Sequence, residues 1–123
     1  MPAYVEGRVK QAPERFVAPS AADTAQTVSS VARPNSELLA VTVAYSAAIL
    51  ANLDITVTLN AGAGAGYDTR LATVNLVIGQ RWAVYIPDVP IPLQADDVVD
   101  VLCPTGGAAI TSGCQIYIRE VTP

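Results

Sequence analysis

At 123 residues, with 51% apolar and 15% charged side chains, the chain is sized for one domain that buries roughly two-thirds of its unfolded surface. Six arginines and one lysine stand against eleven Asp and Glu, a net charge of −4, and no basic stripe gathers them, so nucleic-acid backbone binding is excluded. The absence of histidine excludes a Ser-His-Asp triad, a Cys-His dyad and His-ligated zinc or iron.

In chain order, residues 1–24 read as an extended N-terminal arm. They hold Pro2, Pro13 and Pro19 and six charged side chains, Glu6, Arg8, Lys10, Glu14, Arg15 and Asp23. The apolar pairs Tyr4-Val5 and Phe16-Val17 are too short for core strands, so the arm is expected to order against a neighbour or along the outside of a sheet. Phe16 and Val17 are its candidate partner contacts. On this reading, the chain cut to begin at Thr24 keeps its stability and loses affinity for its partner.

Residues 24–32 form a polar strand candidate, ended by Arg33-Pro34-Asn35-Ser36, where Pro34 presets φ and Asn35 tolerates a left-handed turn. A strand follows over 38–45, with Leu39, Val41, Val43 and Tyr45 assigned to one side. Residues 46–52 read as a crossover at a sandwich end, because seven residues bury a helix face poorly. Residues 53–60 alternate strictly, Leu53, Ile55, Val57 and Leu59 against Asp54, Thr56, Thr58 and Asn60, which is a half-buried strand.

The run at 61–68 carries Gly62, Gly64 and Gly66. No helix and no Lys-Ser/Thr pair follows, so it is a hairpin tip rather than a phosphate loop, with small apolar residues able to press on a partner. The next run places Ala72, Val74, Leu76 and Ile78 on the core face, Gly79-Gln80 breaks it, and residues 81–86 alternate again with Trp82, Val84 and Ile86 inward. Tyr67, Tyr85 and Tyr117 are then the exposed aromatics available for interface contacts. Pro90 and Pro92 confine 88–97 to an edge or a connection, 98–103 is a strand, and 114–121 closes the fold with Ile116 and Ile118 inward.

This spacing implies an all-β fold: a jelly-roll-like β-sandwich of about seven or eight antiparallel strands over residues 25–123, preceded by the arm. Mean hydropathy is +0.37, yet the longest apolar stretch, 38–53, is interrupted by Thr42, Ser46 and Asn52 and falls short of the ~18 residues of a spanning helix. No membrane partner is expected. The weakly charged surface is expected to meet other protein chains, including further copies of this one. The first residues carry no basic and apolar export pattern, so synthesis in a cytoplasm is expected.

Few residues suggest chemistry. Cys103 and Cys114 flank a ten-residue loop. A hairpin register would set them opposite each other, and without an export signal they read as reduced, buried thiols that both label with an alkylating agent on unfolding, the alternative being a late-forming disulfide that leaves them unlabelled. Asp96, Asp97 and Asp100, with Asp54, Asp68 or Asp88, match no EF-hand spacing and are read as turn residues rather than a calcium site. No catalytic residue, metal ligand or cofactor is assigned.

The succession of 53–60, the glycine tip, 69–79, 82–87, the Ile-Pro-Leu-Gln-Ala-Asp-Asp-Val-Val-Asp-Val run at 91–101 and the closing Gln-Ile-Tyr-Ile-Arg-Glu-Val resembles the small jelly-roll accessory proteins of tailed bacteriophage virions, especially capsid decoration or cement proteins. That resemblance implies a non-enzymatic virion component, made in the host cytoplasm and present in many copies, which clamps the major capsid protein or other virion proteins with its arm reaching a neighbour. Carbohydrate-binding sandwich modules show a similar rhythm, and such a module is the alternative.

Overall fold

A computed structural model describes the backbone of residues 9–10 and 14–122 and the side chains of residues 15 and 19–121. Its strands are β1 (Val9–Lys10), β2 (Glu14–Pro19), β3 (Gln26–Ser29), β4 (Ser36–Tyr45), β5 (Leu53–Asn60), β6 (Thr69–Leu76), β7 (Trp82–Tyr85), β8 (Ile91–Leu93), β9 (Val98–Cys103) and β10 (Ser112–Thr122). The only helical element among the described residues is one 3-10 turn at Ala65–Tyr67.

Two pairs of these strands share a lane. β1 and β2 run end to end along one side of β10, and β7 and β8 run end to end along β4. The first sheet is therefore β1/β2, β10, β4, β7/β8, and the second is β3, β9, β5, β6. Read as eight lanes, the antiparallel pairs nest: first with eighth, second with seventh, third with sixth, fourth with fifth. The rolled-up pairs β10–β4 and β9–β5 complete the sheets. This is the jelly roll, two sheets face to face with Greek-key crossovers.

The core lies between the sheets because each lane contributes one side of its alternation. Leu38, Val41, Val43, Tyr45, Ala83, Leu93, Cys114, Ile116 and Ile118 face inward from the first sheet, and Val28, Ile55, Val57, Leu76, Val99, Val101 and Cys103 from the second. Ile49 and Ile110 seal the end from the connections. Residues 46–52 do cross from one sheet to the other, and they are zipped to the β6–β7 turn by Ile49 N–H to Gln80 O (2.9 Å) and Gly79 N–H to Ile49 O (3.0 Å). Asn35 takes the left-handed conformation, φ 51°, in its turn.

Four expectations need correction. In β4, Tyr117 faces Ala40 and Ile118 faces Leu38, so Leu39 is the extra residue of a bulge. The bulge flips the phase: Leu38 and Val41 are buried, and Leu39 is only half-buried. β6 ends at Leu76, and Ile78, expected in the core, sits 59% exposed in a turn where Gly79 has φ 93°. β7 is inverted: Trp82, Val84 and Ile86 face solvent while Ala83 is buried, because Ala83 and Tyr85 lie opposite the inward Val43 and Val41. Directly opposed residues share a face, so the register overrides the apparent hydrophobic side.

The fourth concerns the arm. Residues 1–8 and 11–13 lie outside the described residues, but Glu14–Pro19 is an edge strand of the first sheet, paired with β10 from Gly113 to Ile118. Pro19 closes it where no ladder donor is needed. Residues 20–23 are fastened too, by Ser20 N–H to Ser112 O (2.7 Å), Ser112 N–H to Ser20 Oγ (2.8 Å) and Asp23 N–H to Ile110 O (3.0 Å). The segment therefore lies along the outside of the sheet, one of the two places expected for it, and the sandwich begins by residue 14 rather than at residue 25.

Candidate interaction surface

The outer faces of the two sheets differ in chemistry. That of the second is mostly polar and hydrogen-bonded within itself around one exposed apolar side chain, Leu102: Asn75 Nδ2 donates to Asp54 Oδ1 (2.9 Å), and Asp100 accepts from Ser29 Oγ (2.5 Å) and from Asn60 Nδ2 (3.1 Å). These are the side chains opposite the buried ones on β3, β5, β6 and β9. Asp54 and Asp100 are therefore strand-face acceptors.

The outer face of the first sheet is built in rows fixed by register. One row is Trp82, Ala44, Gly113 and Pro19; the next is Val84, Thr42 and Gln115; the third is Ala40, Tyr117 and Arg15; and the last is Pro92, Glu37 and Arg119. Three of the four central positions in the first and third rows are Ala or Gly, so the middle is low. The β7 side stands up with Trp82 66%, Val84 55% and Ile86 68% exposed. The Arg81 guanidinium stacks over the Trp82 ring at 5.3 Å from its centroid, holding the indole without covering it. At the far end Arg119 Nε and Nη2 both reach Glu37 Oε1 (3.1 and 2.6 Å), which closes the face with a neutralised pair. Tyr117 lies on this face, half-buried, with its hydroxyl donating to Gln115 Oε1 (2.7 Å).

The glycine tip forms a second, separate place. Tyr67 stands 70% exposed above a 3-10 turn closed by Tyr67 N–H to Gly64 O (3.0 Å) and Asp68 N–H to Ala65 O (3.2 Å). Gly64 needs its φ of 129°, whereas Gly62 needs space, because a Cβ there would lie 2.5 Å from Asp96 Cβ. Gly66 has open space around it. The acids expected as turn residues act so here: Asp68 Oδ1 accepts from Ala61 N–H (2.9 Å), and Asp97 accepts from Gly62 N–H and Gln94 N–H (both 2.9 Å). An open cleft runs between this tip and the β8–β9 turn, lined by Tyr67, Gln94, Asp96 and Pro92 among others.

The candidate contacts named from sequence therefore do not converge. Gly62, Gly64, Gly66 and Tyr67 share the tip, Phe16 and Val17 have their backbone in β2 at the sheet edge, and Tyr85 is half-buried and packed on the core rather than displayed. Trp82, assigned to the core, is the most prominent side chain of the outer face. Its one sequence signal was the small Ala83 beside it, which becomes informative only once the pairing with β4 is known.

Beneath the sandwich end that holds Ile49 and Ile110, three polar side chains are buried together. Tyr45 donates its hydroxyl to Pro104 O (2.8 Å), and Cys114 donates to the Cys103 sulfur. Burial first, and then the two thiols, push the Tyr45 phenol up from its ordinary value. The bond to Cys103 and burial push Cys114 up as well. A raised folded-state value means stability is fully present below the unfolded value and lost as pH rises through it. Unfolding should therefore become easier above about pH 8.5 for Cys114 and about pH 10 for Tyr45. Urea unfolding from pH 7 to 11 checks this: Tyr45→Phe should cost about 1 kcal/mol at neutral pH, from the orphaned Pro104 carbonyl, and flatten the alkaline fall.

Comparison of the sequence with protein-family models and with curated proteins finds no match.

Proposed function

We propose that this chain is a non-enzymatic structural protein of a virion, a capsid decoration or cement protein that binds the shell in many copies through the outer face of its first sheet. The observation that supports it best is the contrast between the two faces. One is mostly polar and hydrogen-bonded within itself, with Leu102 its one exposed large apolar side chain, and the other combines a low Ala and Gly centre with Trp82, Val84 and Ile86 exposed along one side. A flat, weakly charged face with one raised aromatic suits a protein partner, where a buried Trp anchor dominates the energy. Fold alone assigns no function; the face carries the reading.

Co-sedimentation of the purified chain with capsid shells tests it. Trp82→Ser lies on the surface, so it should leave the fold intact and weaken shell binding at least tenfold, about 1.4 kcal/mol. Equal binding by Trp82→Ser and the parent chain would remove this face from the proposal, and no binding to any shell would remove the capsid.

The tip cleft favours a second reading, a carbohydrate-binding module. Tyr67 offers a ring for stacking and Gln94 and Asp96 offer polar groups beside it. Glycan-array binding lost in Tyr67→Ala and retained in Trp82→Ser would favour that reading.

A further inference from the structure

Cys103 and Cys114 belong to opposite sheets. Cys103 ends β9, whose ladder partners are β3 and β5, and Cys114 lies near the start of β10, between β2 and β4. The hairpin register expected from sequence is therefore absent, and the two thiols meet across the core instead. Both are fully buried and free, with the Cys114 thiol donating to the Cys103 sulfur. The loop from Pro104 to Thr111 lies over them: Leu50 N–H bonds to Gly106 O (3.0 Å), Ser46 N–H to Thr111 O (2.9 Å), and a Cβ on Gly106 would meet the Tyr45 ring at 2.8 Å. Neither the proposed interaction face nor the tip cleft uses this pair.

We propose that Cys103 and Cys114 are a cross-sheet modification site, a thiol pair that closes to a disulfide and staples the two sheets when the protein passes from reducing to oxidising surroundings. The oxidant is a low-molecular-weight disulfide such as oxidised glutathione. One cysteine thiolate attacks it, expelling one glutathione thiolate and leaving a mixed disulfide. The second cysteine, as its thiolate, attacks the protein sulfur of that mixed disulfide and expels the other glutathione. The two protein thiols lose two electrons and two protons in all, and one oxidised glutathione becomes two reduced. The mixed disulfide forms while the covering loop is open or the chain is refolding, since the closed core has no room for glutathione.

Two neighbouring features favour closure over inert burial. Gln26, opposite Cys103 on β3, donates its amide to Ser112 Oγ (3.0 Å), two residues from Cys114, so the folded backbone holds the thiols at high effective concentration, and the ring encloses only the ten residues 104–113, already ordered by the bonds above.

The test refolds the full chain in glutathione buffers and counts free thiols by alkylation and mass. In a buffer with oxidised glutathione in excess, the monomer is expected to lose two hydrogens and label at neither cysteine, and in a buffer of reduced glutathione alone both cysteines are expected to label. The oxidised monomer's melting temperature should stand roughly 5–10 °C above that of the fully reduced chain. Cys103→Ser and Cys114→Ser, each keeping one thiol, should melt alike in both buffers. Two thiols still free in the oxidised buffer would overturn the proposal, as would a disulfide found only between chains. A closed disulfide that lowers the melting temperature would overturn the stapling role.

Discussion

Val57→Asp is expected to leave the chain without a cooperative melting transition. Val57 is fully buried in β5, a central lane of the second sheet, with Ala72 opposite it on one side and Val101 on the other. Nothing polar lines that position, so a carboxylate there is unpaired, and its burial costs several kcal/mol. Against a total of about 5–15 kcal/mol for a domain of this kind, that is the margin of folding. Thr56→Asn, one residue away and facing out, should change stability by less than about 1 kcal/mol. Circular dichroism melts of the two variants check the phase of β5 as much as the cost. A normal transition for Val57→Asp would mean that the strand does not present this side to the core.

The second large effect is expected from the N-terminus. The chain cut to begin at Thr24 loses β1 and β2, and with them eight residue pairs along β10, together with the bonds from Ser20 and Asp23 to Ser112 and Ile110. At about 0.5–1.5 kcal/mol net per backbone bond, the loss is on the order of 3–6 kcal/mol. β10 also carries Cys114, Ile116 and Ile118 into the core, and without β2 its outer side becomes an open edge that invites pairing with another chain. The truncated protein should melt at least roughly 10 °C lower and self-associate, which calorimetry and light scattering measure. This reverses the expectation that such a cut spares the fold. An unchanged melting temperature would show that β2 contributes nothing to the sandwich.

The same segment shows why sequence reasoning went astray there. One proline, two charges and one apolar pair look unlike a core strand, and β2 is indeed no central strand. It is an edge, where pairing on a single side suffices and prolines are tolerated. Composition distinguishes central strands from everything else, but it does not distinguish a paired edge from a free arm.

Strand existence and most boundaries were legible. Residues 53–60 alternate cleanly, and they and the apolar run 98–103 are strands over the same residues in the fold. The glycine tip, the Arg33-Pro34-Asn35-Ser36 turn and the sandwich-end crossover at 46–52 followed from turn chemistry and segment length. The eight-lane count made the jelly roll the natural closure, because short strands at that spacing bury one side each and two sheets are the way to cover both.

What the sequence by itself determined was periodicity, since alternation along one strand is a local property of the chain: which segments extend, and which residues share a side. Which side faces inward was decided only by tertiary pairing. Trp82, Val84 and Ile86 look like the core side of β7 until Val43 and Val41 claim Ala83 and Tyr85 across the ladder. One bulge at Leu39 likewise changes the phase of β4 midway. The cysteines follow the same rule, for their spacing suggested a hairpin pair, whereas the fold sends β9 and β10 to opposite sheets and brings the two sulfurs together through the core. Non-local hydrogen bonding sets the phase because shifting a strand by one residue exchanges all its side chains between core and solvent, and the burial of the whole sheet, rather than of any one strand, selects between the two.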